Sequence, residues 1–82
     1  MNKKKMFTRI INNQKNVQFN DIVIIVEAFG FYHTRGEGSH QIFKRADVDE
    51  FLNLQNVNGK AKPYQIKQFL ALVEKYKLSM ED

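Results

Sequence analysis

The densest group of chemically capable side chains in the chain is Arg35-Gly-Glu-Gly-Ser-His40. It sets a guanidinium, a hydroxyl and an imidazole close together, with Gly36 and Gly38 free to adopt positive φ. An imidazole with an ordinary pKa of about 6.5 serves as general base or acid near neutrality. Beside cations, that chemistry suits RNA cleavage. His40 would take the proton of a ribose 2′-OH, the oxygen would attack the adjacent phosphate, and neither metal nor cofactor would be required. Arg35, Lys44 or the Lys60 and Lys62 pair would steady charge on the phosphorane. The competing reading of His40 is a plain surface residue at a strand edge.

Other candidates are weaker. The chain has no cysteine, which excludes disulfides, Cys-ligated zinc and a thiol nucleophile. His33 and the scattered acids supply no metal-ligand spacing, so no metal site is expected. Gly36 and Gly38 lie inside a hairpin with no helix after them, unlike a nucleotide-binding fingerprint. Gly59-Lys-Ala-Lys-Pro63 sets lysines at a helix start, which fits either a phosphate contact or a solvated turn. Tyr32 and Tyr64 suit base stacking or partial burial equally.

The elements that must position these residues follow from periodicity. Phe7, Ile10 and Ile11 predict a short, poorly capped helix over Lys3 to Asn12. Ile22, Ile25, Val26 and Phe29 form one face of a helix spanning Val17 to Phe29, with Asn20 as N-cap and Gly30 as its stop. Phe31 to Arg35 and His40 to Arg45 read as a hairpin, and Phe51 to Gln55 as a third strand with Leu52 and Leu54 on one face. Alternation puts Phe31, His33 and Arg35 on one side of the first strand. It puts His40, Ile42 and Lys44 opposite Gln41, Phe43 and Arg45 on the second. It does not decide which side of the second strand is buried, because both carry an apolar residue. Asn58-Gly59 is a further turn signal, and Pro63 opens a last helix with Ile66, Phe69, Leu70 and Val73 on its apolar face. Ser79 to Asp82 reads as a frayed tail. The expected fold is α+β, with a three-stranded antiparallel sheet covered on one side by helices.

The 82 residues amount to one small domain, and 43% hydrophobic with 27% charged side chains is a globular composition. The longest apolar run, Ile22 to Val26, is far short of the roughly 20 residues that span a bilayer. No hydrophobic region follows the basic start, so no signal peptide is expected. The net charge of +4 is uneven: residues 1–45 hold eight bases and three acids, residues 46–82 five and six. A basic half-domain attracts polyanions, RNA and DNA above all, although +4 also serves plain solubility.

Gly30-Phe31-x-x-x-Arg35-x-x-Gly38-Ser39-His40-x-x-Phe43 resembles the signature of HicA-type toxins of bacterial toxin–antitoxin modules. The resemblance covers about residues 17–78, and residues 1–16 look like the added N-terminal helix of a longer subgroup. It implies a fold like the double-stranded-RNA-binding domain and a cytoplasmic mRNA interferase. It also implies a HicB-type antitoxin partner that covers the active site. Position by position, it puts His40 at the catalytic histidine, Gly38 and Ser39 on the loop presenting it, and Arg35 at the preceding basic position. Two segments differ from the family: its Pro-x-His after the third strand has no histidine here, and Tyr64-Gln65-Ile66 replaces Gly-Thr-Leu. The alternatives to a nuclease are a module that holds RNA without cutting it and a protein whose main partner is an antitoxin.

Overall fold

The computed structural model describes residues 2–80. The order of elements is α1 (Lys3–Asn12), α2 (Phe19–Ala28), β1 (Tyr32–Glu37), β2 (His40–Lys44), β3 (Leu52–Val57), β4 (Lys60–Ala61) and α3 (Pro63–Lys75). The sheet is antiparallel throughout, in the order β1-β2-β3-β4. The α+β architecture matches the expectation, but the sheet has four strands rather than three. The extra strand arises from the Asn58-Gly59 turn. Both residues have positive φ, 53° and 84°, the pattern of a tight hairpin turn. Asn56 Oδ1 accepts the Gly59 N–H at 2.7 Å and closes it.

β4 is only two residues long, yet its outer edge is also paired. The Ala61 N–H donates to the Val17 carbonyl at 3.0 Å, and the Phe19 N–H donates to the Gly59 carbonyl at 2.9 Å. The start of α2 is therefore capped by the β3–β4 turn rather than by a side chain. Its N-cap is Gln18, where the sequence pointed to Asn20. A second correction concerns α1, which is properly capped: Asn2 Oδ1 accepts the Lys5 N–H at 3.1 Å.

The ends of α2 and α3 share one device. Gly30 has φ +90°, and the Phe31 N–H reaches back to the Val26 carbonyl at 3.2 Å. This is a Schellman motif, in which a left-handed residue lets the chain satisfy the last helical carbonyls. At the end of α3 the left-handed residue is Lys77, φ 52°, and the Leu78 N–H donates to Val73 at 2.9 Å. Leu78 and Met80 then pack against the core, so the expected tail is anchored as far as Met80; residues 81–82 lie outside the described residues.

The core fills one side of the sheet. Phe43, Leu52, Leu54 and Ala61 point inward from the strands and meet Ile22, Ile25, Val26, Ile66, Phe69 and Leu72 from α2 and α3. Phe69 binds the layers through edge contacts with Phe29 and Phe31, ring centroids 5.4 and 6.1 Å apart. Helix α1 is no loose appendage: Met6 and Ile10 are buried in the same cluster, and Phe7 packs on Phe29 at 5.0 Å. Gln65 is 2% exposed and accepts the Gln55 N–H at 2.8 Å, which ties the first turn of α3 to β3.

The β2–β3 connection is held by charge. Glu50 accepts hydrogen bonds from the Tyr76 hydroxyl and, at 2.9 Å, from Lys75. These donors, the Tyr76 hydroxyl foremost, hold the Glu50 carboxyl at about 2, against an ordinary 4.5. A depressed carboxylate stabilises the fold above its unfolded pKa, and that contribution is lost as pH falls through the folded value. Thermal melts should therefore show Tm falling between pH 4.5 and pH 2 more steeply in the wild type than in Glu50→Gln. Parallel pH profiles for the two proteins would refute this role of Glu50.

Candidate functional site

The β1–β2 hairpin turns on two residues, Gly38 and Ser39, between the paired Glu37 and His40. Gly38 has φ +61°, which suits the first position of a type II′ turn. Gly36 departs from the expectation. It does not have positive φ. Instead a Cβ there would collide with the Gln41 side chain, which lies across it and accepts a hydrogen bond from His33 Nε2.

Facing is decided at β2. Phe43 is 2% exposed in the core, so Gln41 and Phe43 face the helices, and His40, Ile42 and Lys44 face away from them. On β1, simple alternation would put Arg35 with His33 on the helix side. The structure corrects this. Pairing runs His33 to Phe43 and then Arg35 to Ile42, so Thr34 is an extra residue, a β-bulge. The Thr34 hydroxyl donates to the Ile42 carbonyl at 3.1 Å and holds the bulge. Arg35 is thereby transferred to the open face, beside Ile42 and on the same side as His40.

The result is an open cleft of about 660 Å³ lined by Arg35, Gly36, Glu37, His40, Ile42 and Asn53. His40 Nδ1 lies 3.1 Å from Asn53 Oδ1 on β3. An amide oxygen only accepts, so Nδ1 carries the proton and Nε2 keeps a free lone pair in the neutral ring. That is the arrangement of a general base held in orientation by a neighbour. Among the described residues Arg35 makes no ion pair, so its guanidinium is available to an anion.

The remaining candidates are dispersed. Lys44 is at the opposite end of β2 from His40, about 13 Å along the strand, and pairs with Tyr32. Lys60 is on β4, two strands from β2, where its Nζ donates to Asn16 Oδ1 at 2.7 Å. Lys62 stands over the Tyr64 ring at 5.9 Å. Neither Lys60 nor Lys62 lines the His40 cleft. Gly38 and Ser39 border a different cleft, about 690 Å³, on the helix side with His33, Gln41, Asn20 and Glu27. His33 itself packs edge-on against Phe43 at 5.4 Å. Among the described residues no group of three His, Asp or Glu side chains is arranged to hold a metal ion, and no helix is long and apolar enough to cross a membrane.

The chain matches no family model, no curated protein and no solved structure. Function must therefore be read from the geometry. Asn53 was missed by sequence reasoning. Its one signal was an asparagine, a poor strand former, between two leucines that alternation sends to the core. Nothing in the sequence marked the bulge at Thr34.

The tautomer provides a direct check. Nitrogen NMR of the neutral protein should show His40 protonated at Nδ1, and Asn53→Ala should abolish that preference while the amide spectrum stays folded. An unchanged tautomer in Asn53→Ala would mean that Asn53 does not orient the ring.

Proposed function

We propose that this chain is a metal-independent endoribonuclease of the HicA type, a cytoplasmic bacterial toxin neutralised by a HicB-type antitoxin. The observation that carries the reading is the convergence of Arg35 with the His40–Asn53 pair on one exposed sheet face, produced by the bulge at Thr34. Support also comes from the element order after residue 17, which has the helix, strands and helix of a double-stranded-RNA-binding-like domain with one short strand added.

In this mechanism His40 Nε2 removes the ribose 2′-OH proton. O2′ bonds to the adjacent phosphorus, the bond from phosphorus to O5′ breaks, and the leaving oxygen takes a proton from solvent. The products are a 2′,3′-cyclic phosphate and a free 5′-OH. Arg35 offsets the charge that grows on the non-bridging oxygens. Asn53 keeps the ring in the tautomer and orientation that presents Nε2. Lys60 and Lys62, near the opposite edge of the sheet, serve as outer contacts to the RNA backbone rather than to the reacting phosphate. In the family's Gly-Thr-Leu position, Gln65 works as a structural tie to β3.

Purified protein incubated with RNA in EDTA should cut it. His40→Ala should lower the rate by about 10²–10⁴-fold, as expected for loss of a general base, and Arg35→Ala by about 10²–10³-fold. Cleavage undiminished in His40→Ala would overturn the assignment of that residue. RNA that is bound in a salt-sensitive way but never cut would make the domain a non-catalytic RNA-binding module.

A further inference from the structure

Beyond the His40 cleft the same sheet face carries two large aromatic side chains that the fold does not cover. Tyr32 is 53% exposed and Phe51 51% exposed. They flank Lys44: Tyr32 is its partner on β1, and Phe51 precedes the first residue of β3. Together with Thr34, Arg35 and Ile42 these three residues line a shallow cleft of about 420 Å³. Arg35 and Ile42 also line the His40 cleft, so the two depressions adjoin along these residues.

We propose that this groove is a stacking platform for single-stranded RNA, with Tyr32 and Phe51 receiving the bases next to the phosphate held by Arg35, and Lys44 contacting the backbone between them. The inference rests on the reading of this face as the RNA-cleaving face and names the form of RNA it takes. Three features of the groove favour this occupant. The aromatic cleft is lined by two cations and no acid, and the adjoining His40 cleft adds one acid, Glu37. The core of a protein-docking patch is poor in lysine, whereas Lys44 stands between the two rings. Exposed rings alternating with cations are the combination that grips an unpaired strand, because every base offers a π-face and every linkage a negative charge. In a duplex the bases are stacked on each other and cannot be laid on a flat sheet.

The test is anisotropy binding of labelled single-stranded oligoribonucleotides and of a fully paired RNA hairpin, measured in the His40→Ala background so that the RNA stays whole. Tyr32→Ala and Phe51→Ala should each weaken single-strand binding by roughly five- to 150-fold and leave duplex binding unchanged. Tyr32→Phe should retain the affinity. Both side chains are half-exposed, and a circular-dichroism melt verifies that each variant folds. Unchanged single-strand affinity in both alanine variants, or equal losses on the duplex, would overturn the proposal. The two readings can fail separately. Stacking that survives in a protein that never cuts RNA removes only the nuclease. Normal cleavage with unaltered binding in the variants removes only the platform. A protein that binds no single strand at low salt overturns both and leaves the face to a protein partner.

Discussion

Burial of Phe43 beneath the helices sets the facing of the whole hairpin. Side chains on a strand alternate, so one ring locked into the core at 2% exposure sends His40, Ile42 and Lys44 to the other side. A slip of one residue would bury the imidazole and the lysine and expose the phenyl ring. That costs far more than any local preference of the strand, and it makes the position of His40 a consequence of core packing. Removing a buried Phe typically costs about 3–5 kcal/mol. The register of β2 against β3, Phe43 beside Leu52 and His40 beside Gln55, is held by the same constraint.

Given that facing, the bulge at Thr34 lets β1 serve both sides. Up to the bulge, His33 follows the helix side and shares Phe43 and Gln41 with it. After it, Arg35 joins the open face. The hairpin overhangs the helical layer, and all six residues of β1 are exposed. Reactive side chains are therefore presented on a scaffold whose rigidity comes from elsewhere: the edge contacts of Phe69 with Phe29 and Phe31, the Gln65 tie to β3 and the pairing of residues 17–19 with the β3–β4 turn. The N-terminal helix belongs to this support, since Met6 and Ile10 extend the core and Phe7 backs Phe29.

The charge distribution acquires a spatial meaning in this frame. Two bases in the basic half, Arg35 and Lys44, stand on the open face, whereas Arg45 turns inward to the Phe29 carbonyl at 2.7 Å and pairs with Asp47. The acidic stretch after β2 is used structurally, with Glu50 clasped by Tyr76 and Lys75. Asp47 and Glu50 are thus used at the ends of the helical layer, while the open face carries Arg35 and Lys44 with Glu37 beside His40.

The sequence by itself determined the helices, the hairpin, the third strand and the inward leucines. Each rests on a period of 3.6 or 2 in apolar residues, or on a Gly or Pro stop, and such patterns are local. It also pointed to His40 as the chemical centre, with Arg35, Lys44 or the Lys60 and Lys62 pair as its cationic partners. Only the tertiary structure decided that His40 and Arg35 share a face, because the bulge at Thr34 depends on how β1 settles against a β2 already fixed by Phe43. Only the tertiary structure brought Asn53 to the imidazole, separated Lys60 and Lys62 from it, and paired Lys60–Ala61 as a fourth strand. Those outcomes depend on strand register and edge pairing between distant segments, which no local pattern along the chain encodes.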